Sequence, residues 1–279
     1  MILVGDAGGT KTDWRIIDGD RIIEKATKGF NAAIDDPTSF ISNTQKELYP
    51  FFESTDKVYL YAAGAATLES GNSFSDQFSN LFQPTTIIEI QNDLVAAGRA
   101  LFGHERGMVG ILGTGSALGM YETGQVKDRV PSLGYALGDE GSGFFLAKKL
   151  ISSVLRGQFP AELKSSFLKS YPDFSEKNII EAVYRQPNPN RNLAAYTHFL
   201  NDHINHPFIF ELVFDAFKVY FQAFNLSDEN KEKKWRFSGS VAFYFEEILK
   251  KAGSDFDLYI DKIIQSPVEE LARYHQQNG

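Results

Sequence analysis

The chain has no cysteine. That absence excludes disulfides, thiolate zinc sites and cysteine-ligated iron–sulfur clusters, and it fits a reducing compartment. Basic residues are in deficit: 28 Lys and Arg stand against 36 Asp and Glu, a net charge of −8. This disfavours a sequence-independent grip on nucleic acid, which needs a basic face. An acidic chain that handles a phosphorylated compound has to build its anion site locally, from backbone N–H groups. No apolar run approaches ~20 residues, so no membrane span is expected. No basic region and no apolar signal core stand at the start, so the expected location is the cytoplasm.

What is present is ample core material. Of the 279 residues, 43% are apolar and 14% aromatic, enough for one large domain or two modest ones. The first 103 residues read as strands Ile2–Gly5, Trp14–Ile17 and Arg21–Ala26, the last two joined by the "DGD" turn signal. A helix opens at Pro37 and runs to about Phe52. Strand Val58–Ala62, helix Ser73–Phe82 and strand Thr85–Ile90 follow. "NDLVAAGRALFG" (92–103) reads as a helix capped by Asn92 or Asp93 and stopped by Gly103.

The order then repeats. Val109–Leu112, Ala117–Tyr121 and Val126–Val130 are strands. A helix follows the glycine cluster at 138–143, with Phe144, Ala147, Ile151, Val154 and Leu155 at helical spacing. Residues 160–224 read as a mainly helical insertion. Trp235–Phe237, Val241–Lys251, Leu258–Ile263 and Pro267–His275 complete strand, helix, strand and helix. Both halves place a glycine turn between their first two strands: "GDAGGTKT" (5–12) and "GTGS" (113–116). Either turn alone reads as a plain hairpin. The pair, at equivalent places in two α/β halves, points to a cleft whose backbone N–H groups hold a polyphosphate without net positive charge.

With "GDAGGTKTDW", "GFNAA" (29–33), "NDLVAAGRALFG", "GILGTGSALG" (110–119), "LGDEGSGFFLAKKLI" (137–151) and "FSGSVA" (237–242) in this order, the chain resembles the superfamily of sugar kinases, actin and heat-shock-chaperone ATPases. Within it, the chain is similar to the N-acetylglucosamine kinase and BadF-type ATPase branch. The resemblance implies an α/β fold of two ribonuclease-H-like (actin-like ATPase) lobes, each βββαβαβα, with a helical insertion in the second. The expected domains are an N-terminal lobe at 1–104 and a C-terminal lobe at 105–265 with its insertion at about 157–230. A C-terminal helix at 266–279 is free to pack back on the first lobe.

The resemblance implies ATP-dependent phosphorylation of an amino sugar, with N-acetylglucosamine and its 6-hydroxyl as first choice and Mg-ATP held between the lobes. It assigns Asp93 as catalytic base and sugar contact, although the residues alone favour a helix N-cap there. It assigns Gly8, Gly9, Thr10, Lys11, Thr114 and Gly115 to phosphate. Gly239 and Ser240, otherwise an ordinary strand–helix turn, go to the nucleotide. Asp6 is the expected Mg²⁺ carboxylate, acting through water; its plainer reading is a strand-end Asp capping a turn. Asn31, Ser116, Asp139 and Glu140 are the expected sugar contacts, with Asp139 near the metal. Asn31 reads equally well as a turn residue, and Asp139 and Glu140 as helix-capping residues.

Two positions depart from the family pattern. Ala117 stands where related kinases often have Asn, and Leu133 in "SLGY" stands where a related enzyme has Trp. His198, His203 and His206 carry no supporting carboxylates and read as solvent-facing. Phe208, Leu212, Phe214, Phe217, Tyr220, Phe221 and Phe224 have helical spacing, which suits a core helix or a homodimer contact. The alternative functions are an ATP-hydrolysing or sugar-sensing member of the same fold. A BadF-type electron-transfer activator conflicts with the missing cysteines, and a DNA-binding repressor with the acidic charge. An exopolyphosphatase-like hydrolase fits "GDEGSG" less well. Sugar and ATP are the expected partners, with neither nucleic acid nor membrane.

Overall fold

Leu3, Val4, Gly5 and Ala7 are all buried in β1 (Ile2–Ala7). A strand buried along almost its whole length has to lie inside a sheet covered on both faces. The computed structural model, which describes residues 1–9, 11–65, 73–223 and 232–278, places it there. β1 pairs antiparallel with β2 (Lys11–Asp18) and parallel with β4 (Lys57–Ala62). β3 (Arg21–Lys28), largely exposed, closes one edge against β2, and β5 (Ile87–Asn92) closes the other against β4. The order is β3-β2-β1-β4-β5.

The second sheet contains β6 (Gly107–Leu112), β7 (Ser116–Glu122), β8 (Gln125–Arg129), β9 (Lys234–Ser238) and β10 (Tyr259–Ile264), ordered β10-β9-β6-β7-β8. Read from β8, this is the order of the first sheet. The repeat expected from the sequence is therefore a repeat of topology.

The chain divides into two compact units. One comprises 1–109, 120–128 and 266–279; the other comprises 110–119 and 129–265. In the first, α1 (Pro37–Leu48), α2 (Ser73–Ser79) and α3 (Asp93–Phe102) accompany the sheet. Its core gathers Leu3, Trp14, Phe30, Phe40, Phe74 and Phe78, and the Phe30 and Phe40 rings stack at 4.8 Å. Trp14 lies so close over β1 that a Cβ on Gly5 would sit 2.5 Å from its ring. The tip of the β7–β8 hairpin belongs to this unit because Tyr121 packs on Gly98 of α3, where an added Cβ would be 2.1 Å from the ring.

In the second unit, α4 (Gly134–Leu137) and α5 (Gly143–Leu155) precede five helices: α6 (Ala161–Ser170), α7 (Glu176–Tyr184), α8 (Pro189–Ala194), α9 (Thr197–Asp202) and α10 (Pro207–Ala223). α11 (Ser240–Tyr244) and α12 (Glu246–Ser254) separate β9 from β10. α13 (Val268–Asn278) ends the chain and packs against α3, β1 and β2 in the first unit. Among the described residues, no helix is long and apolar enough to cross a membrane.

Several boundaries differ from those expected. α1 stops at Leu48 and gives way to a 3₁₀ turn over Tyr49–Ser54, since Pro50 has no N–H for the helical ladder. β5 runs two residues later than its apolar letters suggest and delivers Asn92 directly to the helix start. The helix expected over 241–251 breaks at Phe245 into α11 and α12. In α10 the buried face is Ile209, Val213, Ala216, Phe217, Tyr220 and Phe221. Phe208, Leu212 and Phe214 are only half-buried, and Phe224 lies outside the described residues. His203 is not solvent-facing: it stacks on Phe199 at 4.0 Å and lies 3.0 Å from Ser166 Oγ. His206 lies 3.2 Å from Glu162. Among the described residues no cluster of His, Cys, Asp or Glu is arranged to hold a metal ion.

α13 carries a buried histidine. His275 is 3% exposed, stacks on Tyr59 at 3.6 Å and lies 2.6 Å from Tyr61 Oη. Tyr61 Oη in turn accepts from Arg99 Nη1 at 2.8 Å. We assign the Tyr61 hydroxyl hydrogen to His275 Nε2, which leaves the ring proton on Nδ1. Burial, then the charges of Arg99 and Lys57, depress the His275 pKa to about 3. An unfolded histidine protonates near pH 6.5. The neutral ring therefore contributes stability above that pH, which is lost as the pH falls from 6.5 toward 3. Between pH 7 and 5, calorimetry should show the melting temperature of wild type falling relative to that of His275→Gln. A constant difference between the two proteins would refute the assignment.

Candidate active site

The expected site residues fall into two groups, one in each compact unit. The first group begins at the end of β1. Asp6 stands opposite Asp13 of β2 and Tyr61 of β4 in the sheet register. Gly8 and Gly9 are exposed at the turn that follows. The Gly8 N–H donates to Lys11 O at 3.0 Å, so this amide closes the turn. The exposed Lys11 ammonium lies 2.9 Å from Asp13 Oδ1. Thr10 lies outside the described residues.

Asp93 is the first residue of α3. Capping falls to its neighbour: Asn92 Oδ1 accepts the Val95 N–H at 2.9 Å. Asp93 is therefore not the N-cap, the role its letters favour. Its carboxylate is close enough to Asp6 to act on it. Burial, then Asp93, then Asp13 push the Asp6 pKa up to about 7, against a smaller opposing pull from Lys11. Like charges crowded out of water disfavour ionisation.

Asn31 turns inward on its own loop. Its Oδ1 accepts the Ala33 N–H at 3.0 Å, and its N–H donates to Asp35 Oδ2 at 2.8 Å. Gly64, at φ +76°, packs so tightly that a Cβ there would meet Asn31 Oδ1 at 2.5 Å. The turn role of this residue is thus visible in the structure.

In the second unit, three glycine turns converge on one stretch of backbone. Gly113 and Thr114 offer their carbonyls to the N–H groups of Gly143 (2.7 Å) and Phe144 (3.2 Å), the first residues of α5. Asp139 Oδ1 accepts the Ser116 N–H at 3.3 Å. Gly239, at φ +118°, touches the same stretch: a Cβ there would lie 2.3 Å from Leu112 O. Only glycine fits such an approach. "GTGS", "GDEGSG" and "SGS", scattered over residues 113 to 240 of the sequence, therefore meet in one place.

Asp139 occupies the left-handed region at φ +56° and braces the "GTGS" turn. It does not cap α5; that is done by Ser142, whose Oγ accepts the Phe145 N–H at 3.2 Å. Glu140 is half-buried beside it and Ser240 is exposed at the start of α11. The Tyr220 hydroxyl donates to Ala117 O at 3.2 Å. Three participants were missed in the sequence. Ser142 bore a signal, a Ser directly ahead of the apolar run "GFFLA". Asp13 bore none, because its nearness to Asp6 comes from strand pairing. Arg99, which donates to the hydroxyl of Tyr61, the residue paired with Asp6, stands out in the letters only as the lone charge in "LVAAGRALF".

No protein-family model matches the chain. A solved structure from Porphyromonas gingivalis, named as a candidate N-acetylglucosamine kinase, is 35% identical and superposes with a TM-score of 0.92 over 100% of this chain and 99% of that one. The chain belongs to the N-acetylglucosamine kinase family. It is a sugar kinase by that membership, with the two-sheet α/β architecture of the superfamily. The N-acetylmuramic acid/N-acetylglucosamine kinase of Clostridium acetobutylicum is 25% identical over 217 residues, 70% of this chain and 68% of that protein. A ROK family glucokinase from Streptomyces griseus, solved with glucose and AMPPNP, shares 14% identity over 99% of this chain and 100% of its own, at a TM-score of 0.57. At that identity it shows a common fold.

The Asp6 carboxyl yields a prediction opposite in sign to that for His275. Its pKa is raised in the folded state, so stability is lost as the pH rises from about 4 to 7 and the group ionises. In metal-free protein, the melting temperature of Asp6→Asn minus that of wild type should grow over that range, reaching a few degrees at pH 8. A difference independent of pH would show that Asp6 ionises normally.

Proposed function

We propose that the chain transfers the γ-phosphoryl group of ATP to a hydroxyl of an amino sugar, N-acetylglucosamine first and its 6-hydroxyl first. The observation that carries this is Asp93 at the head of α3, relieved of capping by Asn92 and within electrostatic reach of Asp6 at the end of β1. In this reading Asp93 accepts the proton of the attacking hydroxyl. That oxygen forms the new bond to phosphorus while the bond from the γ-phosphorus to the ADP oxygen breaks. Phosphoryl transfer of this kind has a loose transition state, so orienting the nucleophile and balancing charge dominate.

Asp6 and the glycine turn 8–11 take the phosphate end of the nucleotide in this reading. In the second unit, Thr114 and Gly115 take phosphate, Gly239 and Ser240 take the nucleoside, and Ser116, Asp139 and Glu140 take the sugar. Asn31 is assigned a sugar contact through the part of its amide that the Ala33 bond does not use. Mg²⁺ fits the first group, because the Asp6–Asp93 repulsion is one that a cation relieves. Mg²⁺ keeps much of its hydration and takes only one or two carboxylates, so a three-carboxylate cluster is not required. Bound there with the nucleotide, it would neutralise charge on the phosphate oxygens. Ala117 and Leu133 make the acceptor end differ from the family pattern, so selectivity among amino sugars is expected to differ there.

ADP release measured with ATP and Mg²⁺ tests the proposal, using N-acetylglucosamine, glucosamine, N-acetylmuramic acid, N-acetylmannosamine and glucose. Turnover with one or more amino sugars is the expected result. Asp93→Asn should lower kcat by about 10²-fold or more, in line with loss of a general base, while ATP still binds. Turnover by Asp93→Asn near the wild-type rate would remove the base assignment. No turnover on any sugar, with ATP bound, would favour a sugar-sensing or ATP-hydrolysing role.

A further inference from the structure

α3, which carries the proposed catalytic base, is buried along almost its whole length. Every residue from Leu94 to Phe102 is buried, and the middle of the helix is "AAGRA". Small side chains let a helix lie close to its neighbours but leave a smooth face. Such a face resists separation more than it resists sliding along the axis. Near Gly98 the Tyr121 ring fits against the backbone itself, which again constrains distance more than register.

One side chain in this stretch makes directional bonds. Arg99 is 8% exposed. Its Nη1 donates to Tyr61 Oη of β4 at 2.8 Å and pairs with Glu89 Oε1 of β5 at 2.8 Å. Its Nε donates to Gly124 O in the β7–β8 turn at 3.3 Å. The guanidinium also lies over the Tyr61 and Tyr274 rings, at 5.7 and 5.8 Å. A planar fork held from several directions fixes its own position, and so that of the helix, along the axis.

The partners matter as much as the bonds. Tyr61 stands directly opposite Asp6 in the β1–β4 register. Asp93 lies six residues before Arg99, about 9 Å up the helix at roughly 1.5 Å per residue. A short mechanical path therefore runs from Asp6 across the sheet to Tyr61, through one hydrogen bond to Arg99, and along a rigid helix to Asp93. His275 extends it: its bond with Tyr61 ties in α13, whose Glu269 forms an ion pair with Arg15 of β2, the strand that leaves the first glycine turn.

We propose that Arg99 is a positioning residue, which sets the axial register of α3 against the Tyr61 strand and thereby the placement of the Asp93 carboxylate relative to Asp6. The inference rests on the reading of Asp93 as the base. It assigns Arg99 no contact with either substrate. Displacement of a catalytic group by about 1 Å can cost on the order of 10²-fold in rate, so a fixed point in the small-residue middle of α3 bears directly on the rate.

The test compares Arg99→Met, Arg99→Lys, Tyr61→Phe and Asp93→Asn with wild type. The acceptor is the sugar of the panel turned over fastest by wild type, and assays run well below each variant's melting temperature. Arg99→Met keeps the apolar stem and loses the fork; its kcat should drop by about tenfold or more, with the KM for ATP and the ADP affinity within about twofold. Arg99→Lys, which keeps a charge able to reach one partner, should recover part of that loss. Tyr61→Phe removes the single hydroxyl between β4 and Arg99 and should lower kcat in the same direction by a smaller factor. It keeps the proposal testable if Arg99→Met does not fold.

Two outcomes would overturn the proposal while leaving the base in place: wild-type kcat in folded Arg99→Met or Tyr61→Phe, or kcat and ADP affinity falling together, as in general loosening. In both, Asp93→Asn remains inactive. Full turnover by Asp93→Asn would instead remove the reading on which the proposal rests.

Discussion

Two carboxylates held near each other and partly out of water are the central constraint of the first unit. Asp6 and Asp93 repel, and Asp13 adds to the repulsion on Asp6. Such a pair does not persist because the groups attract; the scaffold has to hold them. Here the scaffold is three adjacent parallel strands, β1, β4 and β5, whose register aligns Asp6, Tyr61 and Gln91. Asp93 follows two residues beyond Gln91. In open α/β sheets, ligands gather beyond the carboxyl ends of the strands, and both carboxylates stand at that end. The buried core of Leu3, Trp14, Phe30 and Phe40 holds the strands in this register. The polar links of Arg99, Tyr61 and His275 tie α3 and α13 to β4.

The second unit solves a different problem by different means. Its three glycine turns meet on one stretch of backbone, so its demand is for close approach. Gly239 at φ +118° against Leu112 O, and the α5 amides bonded to Gly113 and Thr114, bring three loops nearer than side chains would allow. The first-turn amides of α5 are spent on holding "GTGS" in shape. The helix thus pre-forms the loop, with Asp139 fixing its Ser116 end. The five helices that follow contribute aromatic packing, as in the edge-on contact of Phe167 and Phe199 at 5.1 Å, and α10 lends Tyr220 to the wall behind Gly141.

Much of this was legible in the letters because it is local. A buried strand end carrying Asp, a glycine turn, and Asn92 ahead of an apolar helix are each decided within a few residues, and the repeated order of strands and helices follows from their periodicities. The fold class follows from that order. The errors at element boundaries were local as well. Pro50 and Phe245 interrupt helices whose apolar spacing continues past them, and β5 starts late because Thr85 and Thr86 resemble strand residues but form a turn. His203 is covered by Phe199 one turn away and by Ser166 of α6, and the second contact is not visible in its own helix's spacing.

The sequence by itself determined which residue types stand at the two turns, that a helix starts at Asn92 or Asp93, and that glycine is present wherever the backbone is to come close. Those properties depend on a residue and its neighbours in the chain. Only the tertiary structure decided that Tyr61 stands opposite Asp6, that Arg99 reaches Tyr61, Glu89 and Gly124 together, that α13 packs against β1, β2 and α3, and that residues 113, 143 and 239 share one stretch of backbone. Each of these depends on strand register or on contacts between segments far apart in the chain. A shift of register by one residue would exchange every partner across the sheet without changing a letter.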